Sequence, residues 1–406
     1  GSEMCIRDSG YSMHYFAPDG CGWEGSGYTN YTLSYVTVLL EGLNNFFGDT
    51  LGMMDYPGFE GVGRSLAMTT GKENNWTIHC EDTPVPYNTT QNMFFTKYYG
   101  DYTGQKLNIE QLYKNPAAMK LHSYLAMKYY LPGAPESTDY PEETDVLYTS
   151  SQLGFSRNAW GGKTKTVVGV HGGYNMDSGC QVDIGNFFYE YKGIVFADDP
   201  GIENYAISYT TAYPARAEGA NVWVVNPDAS YGQSLEGYGD LNMKESKPDG
   251  VIYTLDLSSA YEGYVESALR GFMLSENRTV FTVQDEIKPF EGENDFYWFW
   301  HTLADITVNE NSRSVSLARD GVVCKIYFDS NVDFTITKQD VLTSLPKSPV
   351  VEGQNQMAHA VNMHKVVVNF QSSGEPIIFR ATAVPFGKNI DRDTLAPISE
   401  WTIPNP

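Results

Sequence analysis

"GGYNMDSGCQVDIGNFFYEYKGIVFADDPGIENY", residues 172–205, is the stretch on which the fold turns. It spaces Asp183, Gly185, Phe187, Gly193, Asp199, Gly201 and Tyr205 as a pair of active-site strands would. The surrounding sequence supports strands. From about residue 146 onward, short alternating runs such as "KTVVGV", "NVWVVN", "GVIYTLDL", "RTVFTVQDEI", "NSRSVSLA", "VVCKIYF" and "KVVVNF" are separated by Gly, Asn and Asp turns. Alternation with a period of two marks half-buried strands, and many in succession imply an antiparallel sandwich.

The first third has a different period. "YTNYTLSYVTVLLEGLNNFF" (28–47) places Tyr28, Tyr35, Val36, Leu39, Leu40, Leu43 and Phe47 near helical spacing, with Gly48 as a stop. "PAAMKLHSYLAMKYYL" (116–131) predicts a second helix, with Asn115 as cap, Pro116 at the first position and Pro132-Gly133 beyond its end. "FFTKYYGD" (94–101) predicts a weaker one, and the Pro- and acid-rich "PGAPESTDYPEETD" (132–145) a linker. Helices followed by uninterrupted strands predict two domains, helical over 10–145 and β over 146–406. Residues 1–9, "GSEMCIRDS", resemble a tag remnant and a translated sequencing adaptor, so the natural protein is expected to begin upstream.

Composition narrows the function. The 406 residues carry a formal charge of −23, which argues against nucleic acid, whose phosphates need clustered Lys and Arg. No apolar run approaches the ~18–20 residues of a membrane span. The five cysteines are odd in number and dispersed, with neither zinc spacing nor disulfide density. The 29 tyrosines and 7 tryptophans suit sugar faces, but equally suit half-buried strands.

Several motifs, in order, resemble the heparinase II/III-like polysaccharide lyases. "EGSGYTNYTL" (24–33) resembles the family's toroid helix, "SRNAW" (156–160) the entry to its β domain, and "GGYNMDSGCQVDIGNF" a run of the form G-G-x-N-x-x-x-H-x-H/Q-x-D-x-G-x-F. "DDPGIENY" resembles the D-x-G-x-x-x-Y that follows, "EGANVWVVNP" (218–227) an E-G-H-N-type strand, and "DLSSAYEGYVESALRGF", "VQDEI" and "WFWHT" later strands. The resemblance implies an α+β multidomain protein, a partial (α/α) toroid followed by a large antiparallel β-sandwich, with the active site in the cleft between. Residues 10–145 are too few for the whole toroid, so an N-terminally truncated fragment is expected. It further implies an acidic polysaccharide as partner and a periplasmic or extracellular location; oligomeric state stays open.

The implied chemistry is β-elimination from a uronate. A base removes the proton alpha to the carboxylate, an acid protonates the departing oxygen, and the carboxylate must be neutralised. The family's tyrosine acid/base falls on Tyr28, Arg157 is a candidate neutralising charge, and His171 is the imidazole nearest the strand motif. Trp23, Glu24, Tyr31, Trp160 and Gln181 are candidate substrate contacts. Each has a plainer reading. Tyr28 is otherwise a packed helix tyrosine, His171 a strand-end hydrogen bonder, Glu24 a favourable charge at a helix start, Asp183 a turn former, and Trp23, Trp160 and His301 structural.

Departures from the pattern matter. The family's strand histidine falls on Gly179, its second histidine or glutamine on Gln181, and the histidine of its G-H-N on Ala220. The zinc-binding branch holds metal with that second histidine, an aspartate matching Asp199, and the G-H-N histidine. Two of the three are absent, and a lone Asp199 does not make a zinc site. No metal and no other cofactor is expected. The rival readings are a non-catalytic glycan-binding protein and a hydrolase using carboxylates such as Glu24 and Asp183.

Overall fold

The computed structural model describes residues 11–71, 89–101, 103, 123–129, 140–160, 165–175, 181–201, 212–350, 362–388, 390–392 and 394–404. Gly179 and Tyr205 lie outside these residues, as do the expected helix cap at Asn115-Pro116 and most of the 132–145 linker. The chain forms two compact units, one of residues 1–143 with 148–151, the other of 144–147 with 152–406.

The first unit contributes four described helices, α1 (Gly25–Phe47), α2 (Val62–Met68), α3 (Thr89–Tyr99) and α4 (Ser123–Tyr129). Helix α1 stops where expected: Gly48 is left-handed (φ 68°) and its N–H donates to Asn44 O. Its buried face differs from the one the apolar spacing predicts. Ser26, Thr29, Leu33, Thr37, Leu40 and Glu41 are buried, whereas Tyr35, Leu39 and Phe47 are 62%, 48% and 73% exposed. Thr29, Thr37 and Glu41 tolerate that face because each finds a partner. Thr29 Oγ1 meets Tyr15 OH at 2.9 Å, Thr37 Oγ1 donates to Leu33 O, and Glu41 accepts from Tyr98 OH and pairs with Lys128. Beneath it, Phe16, Phe59, Phe94, Phe95 and Tyr129 pack mainly edge-to-face, with centroids 5.2–5.5 Å apart. No described helix is long and apolar enough to cross a membrane.

Eighteen strands are described: β1 (Asp145–Tyr148), β2 (Leu153–Arg157), β3 (Thr166–His171), β4 (Gly173–Tyr174), β5 (Phe187–Tyr191), β6 (Ile194–Ala197), β7 (Trp223–Val225), β8 (Tyr238–Lys247), β9 (Gly250–Asp256), β10 (Val265–Ser275), β11 (Val280–Pro289), β12 (Asn294–Thr302), β13 (Asp305–Asn309), β14 (Ser314–Arg319), β15 (Val322–Ser330), β16 (Phe334–Asp340), β17 (His364–Ser372) and β18 (Ile377–Pro385). They form a nine-stranded sheet (β13-β14-β15-β18-β11-β10-β9-β8-β4), a five-stranded sheet (β1-β2-β3-β5-β6) and a four-stranded sheet (β16-β17-β12-β7). Neighbouring strands pair antiparallel throughout the registers described.

One apolar core joins all three sheets, so this unit is a β-sandwich. The large sheet contributes Phe272, Phe281 and Phe379; the smaller two face it with Phe187, Tyr189, Trp298 and Phe370. Ring pairs cross the layers: Tyr189 on Phe281 at 5.5 Å, Trp298 on Phe379 at 5.2 Å, Phe370 on Phe379 at 5.3 Å. Each such side chain contributes about 1.5–3 kcal/mol when withdrawn from water. The two smaller sheets abut where Asp198 N donates to His301 O and Trp300 Nε1 to Phe196 O.

An ion pair lies inside this core. Arg270 and Asp285 are directly opposed on β10 and β11, both pointing inward, 0% and 1% exposed. Arg270 grips Asp285 with two bonds, of 2.7 and 2.8 Å, and Trp223 and Trp298 add their indole N–H groups to the same carboxylate. The remaining guanidinium nitrogen crosses the sandwich to Gly185 O and Asn221 O, at 2.7 and 2.9 Å. A charge that deep is tolerated because its donors and acceptors are matched. It also fixes two loops of the facing layer.

Candidate functional site

Those two loops carry the candidate site. The stretch before β5 turns at Asp183–Asn186, closed by Asn186 N donating to Asp183 O, with Gly185 at φ +96°. Such a φ favours glycine. Asn175 and Gln233 lace the turn down: Asp183 N donates to Asn175 Oδ1, and Gln233 binds both the N–H and the carbonyl of Ile184. His171, the last residue of β3, gives its N–H to Asn186 O and accepts from Gly185 N. The turn therefore sits against the end of β3. Asp183 Oδ1 faces His171 Nδ1 at 3.4 Å, with both side chains buried.

Asn186 bridges two carboxylates. Its amide nitrogen donates to Asp199 Oδ2 at 2.8 Å and to Asp183 Oδ2 at 3.3 Å, and its oxygen accepts from Phe187 N and Asn221 N. Asp199 also accepts from Gly201 N, and Gln181 Nε2 donates to Gly201 O at 3.3 Å. Burial, followed by the neighbouring Asp183 charge, pushes the Asp199 carboxyl up to about 7. Asn221 sends its amide to Phe187 O and Asp198 O, and its oxygen accepts from His301 N. His301, Tyr213 and Lys365 continue the hydrogen bonding behind it.

The sequence-derived candidates thus divide. His171 and Gln181 belong to one network with Asp183 and Asp199. Arg157 and Trp160 stand together elsewhere: the guanidinium lies 3.9 Å over the Trp160 ring, and Arg157 is fully buried. In the β2–β3 register Leu153 opposes His171 while Arg157 opposes Val167, so Arg157 is at the far end of that hairpin. In the helical unit, Glu24 occupies the capping position of α1 without a side-chain cap bond, and the half-buried Trp23 meets Tyr15 edge-on at 4.9 Å. Tyr28 is half-buried on the first turns of α1; Tyr31 is 60% exposed and accepts from Tyr35 OH. Asp183 is both a turn former and the partner of His171.

Ala220 is 1% exposed among Val182, Val222 and Phe299, an apolar neighbourhood. The Asp199 carboxylate is occupied by Gly201 and Asn186, and among the described residues no three His, Cys, Asp or Glu side chains gather as metal ligands. Sequence reasoning passed over Asn186, Tyr213 and Lys365 and read His301 as structural. The available signals were faint: an asparagine beside the turn, and a lysine opening the apolar run "KVVVNF".

The chain thus comprises a helical unit and a β-sandwich unit, and the laced turn of the latter carries the candidate site. Among solved structures the chain is similar to a heparinase III with methylated lysines (TM-score 0.67, 14% identity, covering 94% of this chain and 55% of that one). It is similar as well to a mutant heparan sulfate lyase from Pedobacter heparinus (TM-score 0.66, 14% identity, 95% and 56% covered) and to a further heparinase III (0.66, 13%, 94% and 56%). The chain spans little more than half the length of those proteins. No protein-family model and no curated protein matches it. At this identity the likeness establishes the fold, which is that of heparinase III.

Proposed function

We propose that this chain belongs to a polysaccharide lyase that cleaves uronate-containing glycans by β-elimination, as part of a longer protein whose helical unit is a partial toroid. The observation that carries the reading is the heparinase III fold extending over 94% of the chain. In this reading Tyr28 removes the proton alpha to the uronate carboxylate and returns one to the leaving oxygen. His171, oriented by Asp183, assists. Trp23, Glu24, Tyr31, Arg157, Trp160 and Gln181 serve substrate binding, and the protein works in the periplasm or outside the cell.

A second reading has a specific observation in its favour. Where the resemblance puts a G-H-N histidine, the chain has Ala220 packed in an apolar cluster. A glycan-binding protein that kept the scaffold would carry such a change. Products separate the two: elimination leaves an ultraviolet-absorbing unsaturated uronate, hydrolysis a saturated end, and a scaffold binds without cleaving. Tyr28→Phe removes only the proton-transferring hydroxyl, so kcat should fall at least ~100-fold with KM nearly unchanged. Wild-type rates in that variant would remove Tyr28 from the mechanism.

A further inference from the structure

We propose that Lys365, Tyr213 and His301 form a positioning chain that sets the candidate site through Asn221 and Asn186. The three residues are distant in sequence and meet through sheet pairing, His301 on β12 being directly opposite Lys365 on β17. All three are buried, at 0%, 1% and 0% exposure for Lys365, Tyr213 and His301. Apolar residues there would avoid the cost of burying polar groups, so their presence asks for a role.

Chemistry fixes the direction of every bond. Asn221 Nδ2 donates to two carbonyls, Phe187 O and Asp198 O, each at 2.9 Å, so its other terminal atom is the oxygen. That oxygen accepts from His301 N at 2.7 Å and faces His301 Nδ1 at 3.2 Å, so Nδ1 carries the imidazole proton. Nε2 is then an acceptor, and Tyr213 OH donates to it at 2.7 Å. With its one proton committed, the Tyr213 oxygen accepts from Lys365 Nζ at 3.0 Å; that ammonium also donates to Thr343 O at 2.6 Å. Burial, aided by the Lys365 charge, holds His301 well below the usual imidazole range, consistent with a neutral ring.

From Asn221 the path continues outward. Asn221 N holds Asn186 Oδ1 at 3.0 Å, Asn186 holds Asp183 and Asp199, and Asp183 faces His171. Flipping either the Asn221 or the Asn186 amide would set its NH2 against a buried backbone N–H donor, of His301 in the one case and of Asn221 and Phe187 in the other. His301 therefore acts through Asn221 as a positioning residue. The assignment rests on the site proposed above.

Nitrogen-15 spectra of the histidines in the intact chain, with the His301 signals identified by their loss in His301→Gln, test it independently of activity. The parent should show His301 as a neutral Nδ1–H tautomer. In Tyr213→Phe that signature should shift, the His171 signals should move with it, and kcat should fall about tenfold with KM within twofold, as expected of a misplaced site. A folded Tyr213→Phe with unchanged His171 signals and rate overturns the chain. If that variant does not fold, Lys365→Met should shift the His301 signals and Lys365→Gln, which keeps a donor, should restore them. Spectra equal to the parent in both overturn it. A parent inactive on every uronate glycan removes the lyase reading and leaves the spectroscopic test standing.

Discussion

Replacing Asp285 by Asn changes one atom in the middle of the sandwich and tests what holds its two layers in register. The carboxylate receives four donors: Arg270 Nε and Nη2, Trp223 Nε1 and Trp298 Nε1. An amide keeps one oxygen for two of them and turns its own N–H groups toward the others. The guanidinium, 0% exposed, loses its counter-charge. Breaking a buried pair by removing one partner costs about 3–5 kcal/mol. For a unit of this size about 2–4 °C is lost per kcal/mol, so Asp285→Asn should melt roughly 6–20 °C below the parent. Tryptophan fluorescence is the natural readout, since two indoles bond the mutated group. The double variant Arg270→Met/Asp285→Leu removes both charges yet strands Gly185 O, Asn221 O and two indole N–H groups. It should therefore remain well below the parent, although buried pairs are often replaced at little cost elsewhere. An Asp285→Asn protein within about 1 kcal/mol of the parent would refute the reasoning, and a double variant more stable than the parent would show that the carbonyl contacts contribute nothing.

Four further outcomes are expected. Burial lowers Lys365 to about 8, so at pH values between about 8 and the ordinary 10.5 the unfolded chain binds a proton that the folded chain has released. Stability contributed by this site then rises with pH across that window, by up to ~1.4 kcal/mol per unit. The melting-temperature gap between parent and Lys365→Met should shift in the parent's favour from pH 8 to 10, and a gap independent of pH would exclude it. Cys21 and Cys324 are buried thiols pushed up to about 12, so iodoacetamide at pH 8 should leave both unmodified in the native protein, as mass spectrometry of digests would reveal. Protein purified without chelator should hold no stoichiometric zinc by elemental analysis; one zinc per chain would mean that the motif register at Gln181 and Ala220 is wrong. His171→Ala should cost far less activity than Tyr28→Phe, and an equal loss would make the imidazole a full partner in proton transfer.

The sandwich was legible because its strands are short runs rich in β-branched and aromatic residues, bounded by turn residues. "KTVVGV", "GVIYTLDL" and "KVVVNF" contain most of β3, β9 and β17, and Gly/Asn/Asp turns punctuate them. Helix α1 was legible in extent but not in orientation. Its buried face includes Thr29, Thr37 and Glu41, whose hydroxyls and carboxylate are satisfied locally or by Tyr15, Tyr98 and Lys128. Apolar periodicity is blind to a face built that way. In the site, the motif order located the Asp183 and Asp199 loops, because turn chemistry is local. It could not join His301 to Lys365, which depends on the β12–β17 register across an intervening span of strands. Nor could it place Arg157, whose distance from His171 follows only from the β2–β3 pairing.

The strand order of the large sheet has a consequence for biogenesis. β18, the last of the eighteen described strands to be made, lies between β15 and β11. Until it emerges, β11 and β15 each present an unpaired backbone edge, and the sheet exists as two halves. Exposed edges recruit any other strand within reach, including one from a neighbouring nascent chain. The closing contacts, such as Phe281 with Ala383 and Ile326 with Ala383, join β18 to strands made much earlier, and such long closures are slow. A premature stop between residues 331 and 376 would therefore leave a split sheet with two sticky margins rather than a smaller stable domain, and its cellular fate should be aggregation or proteolysis.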